Sequence, residues 1–201
     1  IYGRYGRAQN NGTSATNTFV GTNLANFGLI STNSIYSANI NETHVFTNTL
    51  INEIRAGFGR TSPIFGLNST VPEGPRIAFS NGQIATFGHS DIAPQGRVQN
   101  TYQIGDTISW YKGAHNVRAG GDFFRYQGNS FFDQQVRGNY TFLNWDDFAA
   151  GRPNAYTQRF GGTIRGHRTW IASGFIQDDY RITQRVTLNR SEERRVGKEC
   201  L

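Results

Sequence analysis

The residues that could do chemistry are few and widely spaced in this sequence. The four histidines, His44, His89, His115 and His167, belong to no His-Glu-x-x-His motif and no Cys/His cluster. Turn and surface roles are therefore favoured over metal ligation, and no Ser/His/Asp order stands out as a nucleophilic triad. We assign no catalytic residue, no cofactor and no metal ligand from the sequence, and we expect a protein that is not an enzyme.

Two acidic pairs call for separate interpretations. Asp178-Asp179 could suggest a cation site, but adjacent strand residues point to opposite faces and cannot grip one ion. A position near the rim, before a turn, is favoured instead. Asp146-Asp147 stands at the start of a predicted helical turn, 145–150. Gly151 and Pro153 end this turn. Carboxylates there suit the helix dipole.

The elements that would position these residues are long strands. Between Val98 and Tyr111 the residue types alternate, with an apolar face and a nearly uncharged polar face. The apolar face comprises Val98, Tyr102, Ile104, Ile108 and Trp110, with Asn100 and Asp106 as exceptions, and the polar face comprises Gln99, Thr101, Gln103, Gly105, Thr107, Ser109 and Tyr111. A short turn at 112–115 leads into a second alternating segment, Asn116–Gln127, so the sequence predicts a hairpin. Gly120-Gly121 lies in that strand and is no phosphate loop, because no helix follows it.

Two more hairpins are predicted by the same pattern. Segments 34–46 and 50–60 flank a turn at Thr47-Asn48-Thr49, with Ile54, Ala56 and Phe58 opposing Glu53, Arg55 and Gly57. Segment 168–181 leads through a turn near 183–185 to a strand that begins at Val186. The two faces of 168–181 are equally apolar, so its orientation stays open.

Strand length and turn length together predict a membrane barrel. Strands of 11 to 14 residues exceed the soluble mode of about 5–6 and suffice for a tilted strand that crosses a bilayer in about 9–11 residues. Three short turns alternate with long polar connections, 7–33, 61–97 and 128–165. Short periplasmic turns and long outer loops give that asymmetry in bacterial outer-membrane barrels. We therefore predict an all-β fold: an incomplete antiparallel transmembrane β-barrel of roughly eight strands.

Composition agrees with a β-rich chain with many turns. Hydrophobic residues make up 36%, aromatics 13% and charged residues 17%, with 24 glycines. This is not the aromatic-poor, charge-rich profile of disorder. The net charge of +6 comes from basic residues scattered singly among acids, which indicates an aqueous charged face and no nucleic-acid partner.

The last residues differ sharply in composition from the rest of the chain. Seven of the eleven residues 190–200 are charged, and the chain's one cysteine, Cys200, is among them. The string resembles a conceptual translation of a common sequencing-library adapter; a genuine charged helix or basic motif is the alternative. We expect residues 1–189 to be part of the barrel and 190–201 to be an artefactual tail. Without the tail the net charge is +5 and no cysteine remains, which excludes disulfide and thiol chemistry.

Several strings resemble barrel segments of large Oar-like TonB-dependent outer-membrane receptors. They are Asn48-Thr-Leu-Ile-Asn-Glu-Ile-Arg-Ala-Gly-Phe-Gly-Arg60, Gly113-Ala-His-Asn-Val-Arg-Ala-Gly-Gly-Asp122, Asp147-Phe-Ala-Ala-Gly-Arg-Pro153 and Phe175-Ile-Gln-Asp-Asp-Tyr-Arg-Ile-Thr183. Their order and spacing are more specific than any one string, and the resemblance covers most of residues 34–189.

The resemblance implies a bacterial outer-membrane transporter that takes up a scarce ligand by active transport. It implies a barrel of about 22 strands with a plugged lumen, outer-membrane lipid around it, an unknown small ligand and a TonB complex reached through a plug region outside this fragment. A passive porin and a secreted adhesin or carbohydrate-binding module remain the alternatives. Loop residues that could contact ligand or simply pack loop on loop are Phe131, Phe132, Arg137, Tyr140 and Arg152. With its sheet edges exposed, the fragment is not expected to fold stably alone.

Overall fold

The computed structural model describes residues 1–14, 27–68, 72–80 and 86–200, which form strands and one short helix. In chain order the elements are β1 (Tyr2–Ser14), β2 (Gly28–Thr47), β3 (Leu50–Asn68), β4 (Arg76–Phe79), β5 (Gln95–Lys112), β6 (His115–Phe132), β7 (Asn139–Phe142), α1 (Trp145–Ala149), β8 (Ala155–Thr157), β9 (Ile164–Thr183) and β10 (Val186–Cys200). No helix in these ranges is long and apolar enough to cross a membrane.

Seven of the strands form one open antiparallel sheet in the order β1-β2-β3-β5-β6-β9-β10. Each long strand pairs with its neighbours in chain order, as in an up-and-down barrel wall. The sheet is not closed, and β1 and β10 are its two edges. The predicted all-β, incomplete antiparallel barrel is confirmed, with seven wall strands where roughly eight were expected.

Short turns all lie at one rim of this sheet, and long connections all lie at the other. Two-residue turns join β2 to β3, β5 to β6 and β9 to β10. Gly113 sits in one of them with a φ of 61°, a left-handed conformation that suits glycine in a tight hairpin turn. We call these the short-turn rim and the long-loop rim.

The strands are longer than the sequence pattern indicated. Strands β2 and β9 have 20 residues each, and the β2–β3 ladder runs from Thr47 and Leu50 to Gly28 and Asn68. Backbone pairing continues towards the long-loop rim after the apolar alternation has ended, so the predicted connections 7–33, 61–97 and 128–165 are shorter than expected. Parts of the first two, 15–26, 69–71 and 81–85, lie outside the described residues.

One face of the sheet carries a mainly apolar band, interrupted by Asp106 and by Asn52, which donates a hydrogen bond to the Asp106 carboxylate. Cross-strand pairing places Ala56, Ile104 and Phe123 in one row and Ile108, Ala119 and Ile176 in another. Ile104 is 50% exposed and Ile176 is 54% exposed, so these side chains have no protein layer over them. We call this the outward face, because apolar side chains in a barrel wall face lipid.

Aromatic side chains border the apolar band at both ends. Towards the short-turn rim, the Lys112 ammonium lies 5.2 Å from the centroid of the Trp110 ring, and Tyr180 stacks on His115. Towards the long-loop rim, Phe58 and Tyr102 lie 5.3 Å apart between ring centroids. Paired aromatic girdles mark the two membrane interfaces of a barrel. The structure also settles the orientation of β9, since Trp170 and Ile176 lie on the outward face.

The long connections fold onto one another above the sheet. β4 pairs in parallel with β7, and β7 pairs antiparallel with β8. The five rings that pack around this loop sheet have centroids 5.1–6.4 Å apart and belong to Phe79, Phe87, Phe142, Trp145 and Phe148. Phe79 and Phe142 are buried. This aromatic core holds together two connections that are distant in sequence.

The charged segment after Asn189 continues β10 along β9. Arg190 pairs with Asp178, Glu192 with Ile176 and Arg194 with Gly174. These positions belong to the outward face, where the other strands are mainly apolar. That the segment is an artefactual tail stays a prediction from its sequence, and its last residue, Leu201, lies outside the described residues.

Candidate functional site: the polar face of the sheet

The face opposite the apolar band is polar and more enclosed. Its β5 positions Gly105 and Thr107 are buried, whereas Asp106 and Ile108 between them are exposed. This difference indicates that the polar face is the concave side of the wall. In a closed barrel the concave side lines the lumen, so we call it the lumen face. The predicted alternation of β5 and of segment 50–60 is confirmed.

A salt bridge crosses the lumen face over a glycine. The Arg55 guanidinium on β3 lies 3.6 Å from the Asp122 carboxylate on β6, although β5 runs between them. Gly105 is the β5 residue paired with both. A Cβ on Gly105 would come within 3.4 Å of the Arg55 guanidinium and closer still to the Asp122 carboxylate. The absence of a side chain at this position is what lets the two charges meet.

A shallow cleft of about 350 Å³ lies beside this salt bridge. Its lining side chains offer guanidinium, amide and phenol groups, from Tyr2, Arg4, Asn39, Asn41, Arg55 and Gln103. Arg55 is also 3.8 Å from Glu53, so its charge is shared between two carboxylates. Arg4 takes part in no salt bridge with a described residue. The cleft can therefore hydrogen-bond a polar solute and favours a negative group near Arg4.

A second cleft, of about 510 Å³, lies on the same face nearer the long-loop rim. Its hydrogen-bonding side chains are Arg97, Gln99, Tyr126, Ser130, His167 and Thr169. The Thr169 hydroxyl lies 2.6 Å from the His167 Nε2. Both clefts are open, so the lumen face presents hydrogen-bonding groups to solvent at two places.

The loop residues singled out from the sequence pack mainly loop against loop. The Arg137 guanidinium donates to the carbonyls of Ser90, at 2.7 Å, and Ala93. Tyr140 packs on Tyr156 with ring centroids 4.5 Å apart, and Arg152 lies 3.4 Å from Asp147. Phe131 and Phe132 form the end of β6. Arg137 in particular joins the two long connections.

The two acidic pairs occupy the positions predicted for them. Asp178 lies on the outward face, where its carboxylate is 2.7 Å from the His115 Nδ1, while Asp179 accepts a hydrogen bond from Gln177 on the lumen face. At the start of α1 the Asp147 amide donates to the Asn144 side chain at 2.9 Å. In the described ranges no three His, Cys, Asp or Glu side chains are grouped to hold a metal ion.

His89 is the one histidine enclosed in the loops. It is 2% exposed, and its Nδ1 accepts the Gly74 amide hydrogen at 3.2 Å. Burial lowers the pKa of His89 below its ordinary value of 6.5, and the Arg137 guanidinium lowers it further. His89 is therefore neutral at pH 7 and serves the packing of the outer loops.

Comparison with known proteins decides the family. The sequence model of the family described as "Outer membrane beta barrel domain" matches residues 1–190. The chain belongs to this outer-membrane β-barrel family. No curated protein and no solved structure matches it. The protein is accordingly a bacterial outer-membrane barrel protein: its apolar face contacts lipid, its polar face lines the lumen, and the long loops lie outside the cell.

Sequence reasoning found the strands and faces but missed two features of the site. The Arg55–Asp122 bridge joins residues 67 positions apart across an intervening strand. The loop sheet joins β4 to β7 in parallel across more than 60 residues. The signal in the sequence for the loop sheet was the concentration of aromatic residues in the long connections, because loops that do not pack on one another need no aromatic residues.

Proposed function

We propose that the chain forms part of the wall and outer loops of a TonB-dependent transporter that takes up a scarce ligand actively and does no chemistry on it. The observation that supports this best is the mutual packing of the two long outer connections around one aromatic core. Outer loops whose described parts pack on one another form a defined entrance, which suits selection of one ligand more than passage of many. The ordered strings that resemble Oar-like receptors point the same way.

The lumen face agrees with this role. Its neutral amide and hydroxyl groups, with a few arginines, can hydrogen-bond a polar ligand in successive weak contacts. An active transporter further requires a plug and contact with a TonB complex, which we propose for the intact protein. A passive porin is the second candidate, because a polar concave wall without a plug would serve free diffusion.

Conductance separates the two candidates. The full-length protein that contains this chain is reconstituted in planar bilayers in potassium chloride, and binding of a purified TonB periplasmic domain is measured by calorimetry. An active transporter is expected to show no steady conductance and to bind that domain. Steady conductance without binding would assign the protein to the porins and overturn the proposal.

A further inference from the structure

A groove on the outward face combines an apolar floor with two cations. It measures about 410 Å³ and is lined by Phe123, Arg125, Arg168, Thr169 and Trp170. The rings of Phe123 and Trp170 are stacked, with centroids 6.4 Å apart and planes 23° apart. Arg125 pairs across the ladder with Trp170, and Arg168 is two residues further along β9. The two guanidiniums thus lie at the end of the groove nearer the long-loop rim.

The groove straddles the border between lipid tails and headgroups. Phe123 belongs to the row of Ala56 and Ile104 inside the apolar band, whereas Trp170 belongs to the row of Phe58 and Tyr102 in the girdle. Arg168 lies one further outward-facing position towards the long-loop rim. Aromatic girdles lie at headgroup level, so the apolar floor is at the depth of acyl chains and the arginines are at the depth of phosphates.

No described residue neutralises the positive charge at this end of the groove. Arg168 donates to the Gly128 and His167 carbonyls and to the Asn129 side chain, at 2.8–2.9 Å, all of them neutral groups. Neither Arg125 nor Arg168 makes a salt bridge with a described residue. Two more arginines of the outward face, Arg7 and Arg60, share the cross-strand row of Arg168. Beyond the Phe58–Tyr102 girdle the described outward positions include no Asp or Glu.

We propose that this groove is a binding site for an anionic, phosphate-bearing lipid of the outer leaflet. Its phosphate pairs with Arg125 and Arg168, and one acyl chain lies along Phe123 and Trp170. Guanidinium groups recognise phosphate through parallel N–H donors, and the apolar floor distinguishes a lipid from free phosphate. The proposal rests on the outer-membrane barrel assignment and is independent of whether the barrel is a transporter or a porin.

Quenching of Trp170 fluorescence tests the site directly. The full-length protein is reconstituted in phosphatidylcholine vesicles, and phosphatidic acid with brominated chains is added, with equally brominated phosphatidylcholine as the reference lipid. The Trp170 signal is the difference between the parent and W170F. We expect phosphatidic acid to be preferred roughly 30-fold, as two arginines near a charged lipid surface would give.

Matched variants assign the preference to the groove. R125Q/R168Q is expected to reduce it to about twofold or less, and R125K/R168K, which keeps the charges, is expected to retain part of it. R165Q removes a cation from the lumen face of the same strand and should leave the preference unchanged. Heat-modifiable migration on gels shows that each variant has folded, so a loss of preference cannot be ascribed to misfolding.

Three results would overturn the proposal. They are an unchanged preference in folded R125Q/R168Q, an equal loss in R165Q, and displacement of brominated phosphatidic acid by an equimolar amount of inorganic phosphate. The last would assign the arginines to a free anion. None of these outcomes bears on conductance or TonB binding, so failure here is distinguishable from failure of the proposed transport function.

Discussion

A charge placed inside the outward apolar band should destabilise the folded barrel. Ile104 is a suitable position, because it is 50% exposed and its cross-strand partners are Ala56 and Phe123. Substitution Ile104→Arg would expose a guanidinium to acyl chains, and the nearest described carboxylate on this face, that of Asp106, already accepts a hydrogen bond from Asn52.

The magnitude follows from the depth of this residue. Trp110 and Tyr102 border the band on β5 and are about 26 Å apart along the strand at about 3.3 Å per residue. With a tilt of about 40° the band is about 20 Å thick, and Ile104 lies about 5 Å inside the Tyr102 girdle. Arginine costs about 2–4 kcal/mol at the midplane and about 0–1 kcal/mol near the interfaces. We therefore expect a loss of about 2 kcal/mol, roughly 30-fold in the unfolding equilibrium.

The assay is equilibrium unfolding of the full-length protein in guanidinium chloride, in the presence of phosphatidylcholine vesicles. Thr101→Arg is the matched control, since Thr101 lies three residues away on the lumen face with Gly59 and Tyr126 as its partners. It should change the free energy of unfolding by less than about 0.5 kcal/mol. Equal losses in the two variants would mean that the outward and lumen faces have been assigned wrongly.

Three further predictions concern packing and the loops. Gly120→Ala places a Cβ against the Asp106 carbonyl and the Phe175 ring and should lower the free energy of unfolding by about 1–3 kcal/mol in the same assay. Gly128→Ala, whose new Cβ would have its nearest neighbour at an ordinary 3.8 Å, should be tolerated. Equal effects of the two substitutions would contradict the packing described. Phe142→Ala removes a buried ring from the loop core and should lower the local stability of the outer loops by about 3 kcal/mol. Proteolysis of the loops should therefore become faster while the barrel still migrates as folded. Phe160→Ala, which removes an exposed ring, should leave the rate of proteolysis unchanged. Because the pKa of His89 in the folded protein is lowered, the stability that neutral His89 gives the loops is present above pH 6.5 and is lost as the pH falls below 6.5. Proteolysis of the loops should therefore become faster between pH 7 and pH 5 in the parent but not in His89→Gln. A pH-independent rate in the parent would exclude a role of His89 in loop stability.

Much of the wall could be predicted because its causes are local. The alternation of Ile104 and Ile108 with Gln103 and Thr107 is imposed by the pleat, which sends successive side chains to opposite faces. Hairpin order follows from short turns such as Lys112–His115, which leave the chain no alternative but to pair with the preceding strand. These features need only neighbours within one hairpin, so a single sequence determined them, together with the family resemblance in its ordered strings.

Only the tertiary structure decided which distant residues meet. The Arg55–Asp122 bridge depends on the register of three strands and on the missing side chain at Gly105. The groove between Phe123 and Trp170 depends on the orientation of β9, which alternation left open because both of its faces are apolar. The loop sheet joins β4 to β7 by aromatic packing, which has no period in the sequence. Contacts of this kind are selected by the summed packing of many strands, so the sequence shows the participants and the fold shows their partners.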